Sequence, residues 1–164
     1  MLRHLFNKFG TTVYVQIWEH RLKLTDIRTG KIFDEKPLVA IEGKKEGQPV
    51  VVAVGNSAAL AVGEDVKVVN PFSHPRVLFS DFTVGERLLQ YALGTILGKK
   101  FIASAPTIVV HPMEKLEGGL TMIEIRAFRE LAVSSGARDA VVYQGQELQS
   151  DEINFESIKE QVGE

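Results

Sequence analysis

The sequence predicts an α/β fold: a mixed five-stranded sheet, three antiparallel strands followed by two parallel ones, with helices on its faces. Three observations carry this expectation. Alternating apolar segments follow one another across the first 35 residues with only turns between them, the signature of a meander. Beyond residue 80 the pattern switches to amphipathic helices separated by brief apolar strands, an order that needs crossovers and hence parallel pairing. At 164 residues, 45% apolar and 24% charged, the chain fits one domain that buries about 68–70% of its unfolded surface.

Taken in order, residues 1–10 read as a short amphipathic stub. Val13, Val15 and Ile17 share one side of a first strand, Leu22 and Leu24 of a second, and the Arg28-Thr29-Gly30 turn leads into Ile32 and Phe33. Residues 36–80 form a small inserted sub-lobe. Within it, Pro37 to Ile41 and Pro49 to Val54 are extended, a polar turn runs from Gly43 to Gln48, and Asn56 to Leu60 is a short helix capped by Asn56 and stopped by Gly63. Asn70 to Ser80, with two prolines, is irregular. Thr83-Val84-Gly85-Glu86 reads as a capping box opening a helix that Gly98 ends, and Thr107 to Val110 as a strand. A second capping box, Thr121-Met122-Ile123-Glu124, opens a helix closed by Gly136, and Ala140 to Tyr143 is a further strand. Residues 151–164 carry a last helix with Phe155, Ile158 and Val162, which either folds back over the sheet or docks on another chain.

Composition removes several function classes. There is no cysteine, so disulfides, thiol nucleophiles and Cys-ligated metal sites are out. The net charge of −2 argues against a nucleic-acid binder. No apolar run approaches the roughly 18 residues of a membrane span, and no leader pattern opens the chain, so a cytoplasmic protein is expected. His4, His20, His74 and His111 lack metal-ligand spacing, so no metal site is expected. His111-Pro112 ends a strand, where a structural or solvent-facing histidine is the plain reading. Gly98-Lys99-Lys100 follows a helix instead of opening one, the wrong context for a phosphate loop. Gly118-Gly119 precedes the Thr121 helix, yet Glu117 and Glu124 beside it favour a loop over an anion nest.

The order β-β-β, insert, α-β-α-β resembles the first lobe of the actin-like ATPases, a ribonuclease H-like half-domain. The wording resembles the bacterial rod-shape (MreB-type) branch from residue 1 to about 143. The resembling pieces are MLRHLF at the start, VAI at 39–41, VVAVG at 51–55, Asp81-Phe82 followed by ERLLQ at 86–90, E-x-R-A-x-R-E at 124–130 and SGAR at 135–138. The resemblance covers the family's first lobe alone. The resemblance implies an ATP and magnesium site whose phosphate loop, of the type D-x-G-T-A-N, joins strands one and two. Here that turn reads Gln16-Ile17-Trp18-Glu19-His20-Arg21. Gln16 replaces the aspartate, Trp18 fills the glycine position, and Glu19 adds negative charge where phosphate would sit. Glu124 resembles the family's water-orienting glutamate, although a capping box explains its spacing without a ligand. An insertion of roughly five residues, from Lys115 to Leu120, and Gln144-Gly145-Gln146 in place of glutamate-glutamate-proline, depart from the pattern as well.

The expectation is therefore a degenerate, non-catalytic protein of this type that binds no cofactor and acts through a protein partner or its own copies. The alternative is an ATP-binding lobe completed by a partner chain. Leu2, Leu5, Phe6 and Phe9 fall on one helical face with Arg3 and Lys8 on the other. Such a stub suits the inner membrane surface or a partner, and equally packing on its own domain.

Overall fold

The structure is a computed structural model and describes residues 10–44 and 46–163. The stub residues Leu2, Leu5, Phe6 and Phe9 lie outside the described residues. Eight strands and four α-helices are present among those described: β1 (Thr12–Ile17), β2 (Leu22–Asp26), β3 (Ile32–Glu35), β4 (Val39–Glu42), β5 (Val50–Val54), β6 (Val66–Val69), α1 (Phe82–Leu97), α2 (Lys100–Ala103), β7 (Thr107–Pro112), α3 (Met122–Ser134), β8 (Asp139–Val142) and α4 (Phe155–Val162).

The large sheet has the order β3-β2-β1-β7-β8. β1 pairs antiparallel with β2 and β2 with β3, whereas β1–β7 and β7–β8 are parallel, so the predicted mixed five-stranded sheet is the observed one. The antiparallel half follows from tight turns. Asp26 opens the β2–β3 turn, accepting from the Arg28 amide at 3.0 Å and the Thr29 hydroxyl at 2.6 Å, while Gly30 takes φ 72°. Burial pushes the Asp26 carboxyl up, but these bonds and the Thr11 hydroxyl together hold it below the usual carboxylate range. The parallel half follows from α1 and α3, each too long for a hairpin.

Alternation along the strands makes two unlike faces. Val13, Val15, Ile17, Leu24, Ile108, Val110, Ala140 and Val142 point to the first, under α1 and α3, where Leu88, Leu93, Phe128 and Leu131 close the main core. Tyr14, Val109, Val141 and Tyr143 point to the second, which Ile153, Phe155 and Ile158 cover. Thus the last helix folds back on its own sheet.

A second sheet, β5-β4-β6, fills much of the 36–80 segment. β4 is its centre, pairing antiparallel with both neighbours. The sequence reading lacked β6, whose four residues Val66-Lys67-Val68-Val69 are too short and too weakly alternating to announce a strand. Two further readings need correction. Asn56 caps nothing: the 3₁₀ turn Gly55–Leu60 has no side-chain cap, because the Asn56 side-chain Oδ1 instead accepts the Lys36 amide, while the Asn56 backbone N–H donates to the Glu35 carboxylate. Thr83 to Glu86 form no capping box. Asp81 is the N-cap of α1, taking the Val84 amide at 3.0 Å, so the helix starts earlier than the Thr-x-x-Glu spacing suggested. Gly136 does close α3: beyond the C-cap Ser135 it takes φ +118°, its amide bonds to the Val133 carbonyl and the Ala137 amide to the Ala132 carbonyl, and a Cβ there would lie 2.4 Å from the Phe101 ring.

Candidate functional site

The β1–β2 turn is satisfied from within. The Trp18 amide donates to the Arg21 carbonyl at 2.9 Å, which closes the turn. The Arg21 guanidinium lies 5.0 Å from the centre of the half-buried Trp18 ring and makes a two-pronged contact with Asp34 on β3, at 2.7 and 2.6 Å. That contact holds the Asp34 carboxyl below its usual range. The pair is too exposed to add much stability, but it aligns the arginine over the indole.

Glu19 is gripped at three points. Its amide donates to the Glu114 carboxylate at 2.7 Å. Its carbonyl accepts the Asn70 side-chain amide at 2.7 Å, and its carboxylate pairs with the Lys115 ammonium at 3.1 Å. The same ammonium donates to the His74 carbonyl at 2.5 Å. His20 stands exposed beside Glu19, at 3.7 Å. Two segments distant in sequence, residues 70–74 and 114–115, thus converge on the 18–21 turn.

Gln16, at the end of β1, is 1% exposed and donates from Nε2 to Glu147 at 2.9 Å. Its register neighbour on β7 is His111. The His111 Nε2 faces the Gly145 carbonyl at 3.0 Å and its Nδ1 faces the Tyr14 hydroxyl at 2.6 Å. A carbonyl can only accept, so Nε2 carries the hydrogen and Nδ1 accepts from Tyr14. The Tyr14 oxygen in turn accepts the Leu148 amide at 3.2 Å. Burial accounts for both titrations: it lowers His111, keeping the imidazole neutral, and pushes the Tyr14 phenol up to about 12. His111 is therefore structural: it straps the 144–148 loop across the ends of β1 and β7.

Glu124 sits in a complete capping box. Its carboxylate accepts the Thr121 amide at 2.8 Å and lies 2.8 Å from the Thr121 hydroxyl, while its own amide donates to that hydroxyl at 3.2 Å. Just before it, Gly118 and Gly119 take φ 78° and 80°, and the Gly119 amide bonds back to Leu116, so this pair makes a turn. Gln144 reaches across from the β8 end to accept the Leu120 amide at 2.8 Å. Sequence reasoning flagged Gln16, Trp18, Glu19, His20 and Arg21 together, and they are neighbours here. It missed Tyr14, Asn70, Glu114, Lys115 and Glu147, whose partners across the chain lie from 41 to 134 residues away. No local pattern announces such pairs.

An ATP and magnesium site of the kind the resemblance implies needs free backbone amides at this turn and a carboxylate at its head. The residues present do not match that need. The Trp18 and Glu19 amides are already bonded within the chain, and Gln16 offers an amide to Glu147. Among the described residues no group of three or more His, Asp or Glu is placed to hold a metal ion.

The family model described as MreB/Mbl protein matches residues 25–148. The chain belongs to the MreB/Mbl family. Its curated relatives include the cell shape-determining protein MreB of Pasteurella multocida strain Pm70, 30% identical over 114 residues, and that of Haemophilus influenzae, 31% identical over 116. These alignments cover 67% and 68% of this chain but 31% of each relative, so the chain spans about a third of the length of the MreB proteins it matches. Two solved MreB5 structures of Spiroplasma citri, one bound to AMPPNP and one to ADP, superpose with TM-scores of 0.61 and 0.62 at 17% and 16% identity. Each superposition covers 82% of this chain and 38% of the other. They establish the MreB-type fold, and with it the actin-like half-domain.

Proposed function

We propose that this chain is a non-catalytic MreB-like protein that acts by protein–protein contact in bacterial cell shape or the cytoskeleton. The observation that carries the proposal is the Glu114 carboxylate on the Glu19 amide. An internal anion takes the donor that a phosphate would use, next to a turn filled by Trp18 and Arg21. An intact fold beside a closed turn favours binding over chemistry. The surface supports the same reading, since Met122 and Ile123 on α3 are 86% and 82% exposed and such apolar side chains suit a docking face. The partner is another protein or a further copy of the chain, in the cytoplasm, and residues 1–9 add contact with the inner membrane face. No helix among the described residues is long and apolar enough to cross a membrane.

Equilibrium dialysis against ATP and magnesium tests the central claim. No retention is expected at micromolar nucleotide, and a micromolar dissociation constant would overturn it. One observation favours a second reading, an ATP-binding lobe completed by a partner: the neighbouring MreB5 structures are described as bound to AMPPNP and ADP. Retention that appears only with added partner would select this reading.

A further inference from the structure

We propose that Lys115 is an internal tether that fixes how the three-stranded sheet is carried on the five-stranded one. It joins the β1–β2 turn, the connection leaving the small sheet, and the 113–120 loop. The inference stands whether or not the turn accepts a nucleotide.

The first sign is backbone strain. Lys115 has φ 57°, and among the described residues it is the one non-glycine with positive φ. An L-residue holds that conformation only where its surroundings over-determine it. Here the surroundings are two acceptors from two other segments. The side chain is 18% exposed and ends on the Glu19 carboxylate at 3.1 Å and the His74 carbonyl at 2.5 Å. Partial burial makes such an ion pair stronger than an exposed one.

The neighbouring contacts form a closed circuit. Glu114, one residue earlier, takes the Glu19 amide, so consecutive residues of the loop hold the backbone and the acid of one partner. Asn70, the first residue after β6, donates to the Glu19 carbonyl and accepts the Phe72 amide at 2.8 Å. The small sheet is thus moored to the turn through Asn70 and through His74, and Lys115 completes the second mooring. Lys115 is thus a cationic hub at the junction of the two sheets.

The chain's lone tryptophan, Trp18, lies in the tethered turn and reports on it. Lys115→Met keeps the stem and removes the ammonium. Lys115→Gly removes both and is at ease at this φ, so it folds without the strain. In both variants acrylamide quenching of Trp18 is expected to rise roughly two-fold, and exchange of the Glu19 and Phe72 amides about ten-fold, by local opening. Amides of Thr107–His111 should keep their wild-type rates. Unchanged Trp18 quenching and unchanged Glu19 and Phe72 exchange in Lys115→Gly would overturn the tether. So would an equal rise across Thr107–His111, because that would mark general destabilisation instead of a released junction. If Lys115→Met does not fold, Lys115→Gly alone decides.

Discussion

The two faces of the large sheet solve different problems with the same strands. The face under α1 and α3 is closed by aliphatic and aromatic side chains, with energy that scales with buried area and depends little on orientation. The opposite face has a smaller apolar cluster and carries Gln16 and His111, each 1% exposed. There the buried polar atoms must be matched one by one, and among the described residues no buried side-chain nitrogen or oxygen lacks a partner. The first face makes the fold; the second decides what the strand ends present. A chain can keep the former while changing the latter, and that division accounts for a family fold beside a self-bonded turn.

The largest expected effect is on the first face. Phe128 is 1% exposed and its ring lies 5.5 Å from that of Phe79. Phe128→Ala removes most of a buried aromatic and leaves a cavity, which should cost about 3–5 kcal/mol in chemical denaturation. A loss under about 1 kcal/mol would mean that the main core is not where most of the stability resides, and the contrast between the faces would collapse.

The second face should respond to chemistry at nearly constant volume. Tyr14→Phe deletes one oxygen, leaving the Leu148 amide and His111 Nδ1 without their partner. The expected loss is about 1–3 kcal/mol, more than one surface hydroxyl warrants. The same network should make stability depend on pH. Burial holds the folded His111 below its ordinary value, against the opposing influence of the Gly145 carbonyl and Glu147. The unfolded chain therefore takes up a proton that the folded one resists. Stability is full above the ordinary histidine value of about 6.5. It declines as pH drops below that value toward the lower folded one. Tyr14 and Tyr143 flank the ring, and the Tyr14 phenol, pushed up to about 12 by burial, stays protonated throughout this window. Unfolding free energies measured between pH ~7 and pH ~5 should fall in the wild type and fall less in His111→Gln. Identical slopes would remove His111 from the account.

The two faces were also unequally legible. Val13, Val15 and Ile17, or Leu88, Leu93 and Phe128, announce themselves by period, because one-sided burial imposes it. The mixed sheet and the two long helices follow from such patterns; Phe155 and Ile158 announce an apolar face, and the structure shows that it covers this chain's own sheet. Gln16, Trp18, Glu19 and Arg21 stood out because the family pattern demands other residues there. What they bond to was not legible. Glu114, Lys115 and Glu147 meet the turn only after the whole chain has folded, and a glutamate in a loop reads as solvated until its partner is seen. Capping shows the same limit at short range. Thr83 to Glu86 and Thr121 to Glu124 have the same spacing, yet only the second forms a box, since Asp81 takes the first helix start.

The smallest expected effect concerns Glu124, which belongs to a helix of the first face yet occupies the place that the family resemblance gives to chemistry. As a cap, Glu124 and Thr121 share one set of bonds. Each single change, Thr121→Ala or Glu124→Ala, should cost about 1 kcal/mol, and the double change clearly less than the sum. Denaturation of the three variants completes the cycle. Strict additivity would mean that the two side chains act apart. A free Glu124→Ala with a costly Thr121→Ala would leave the carboxylate without a structural task, and the boundary drawn here between fold-making and strand-end residues would have to move into α3.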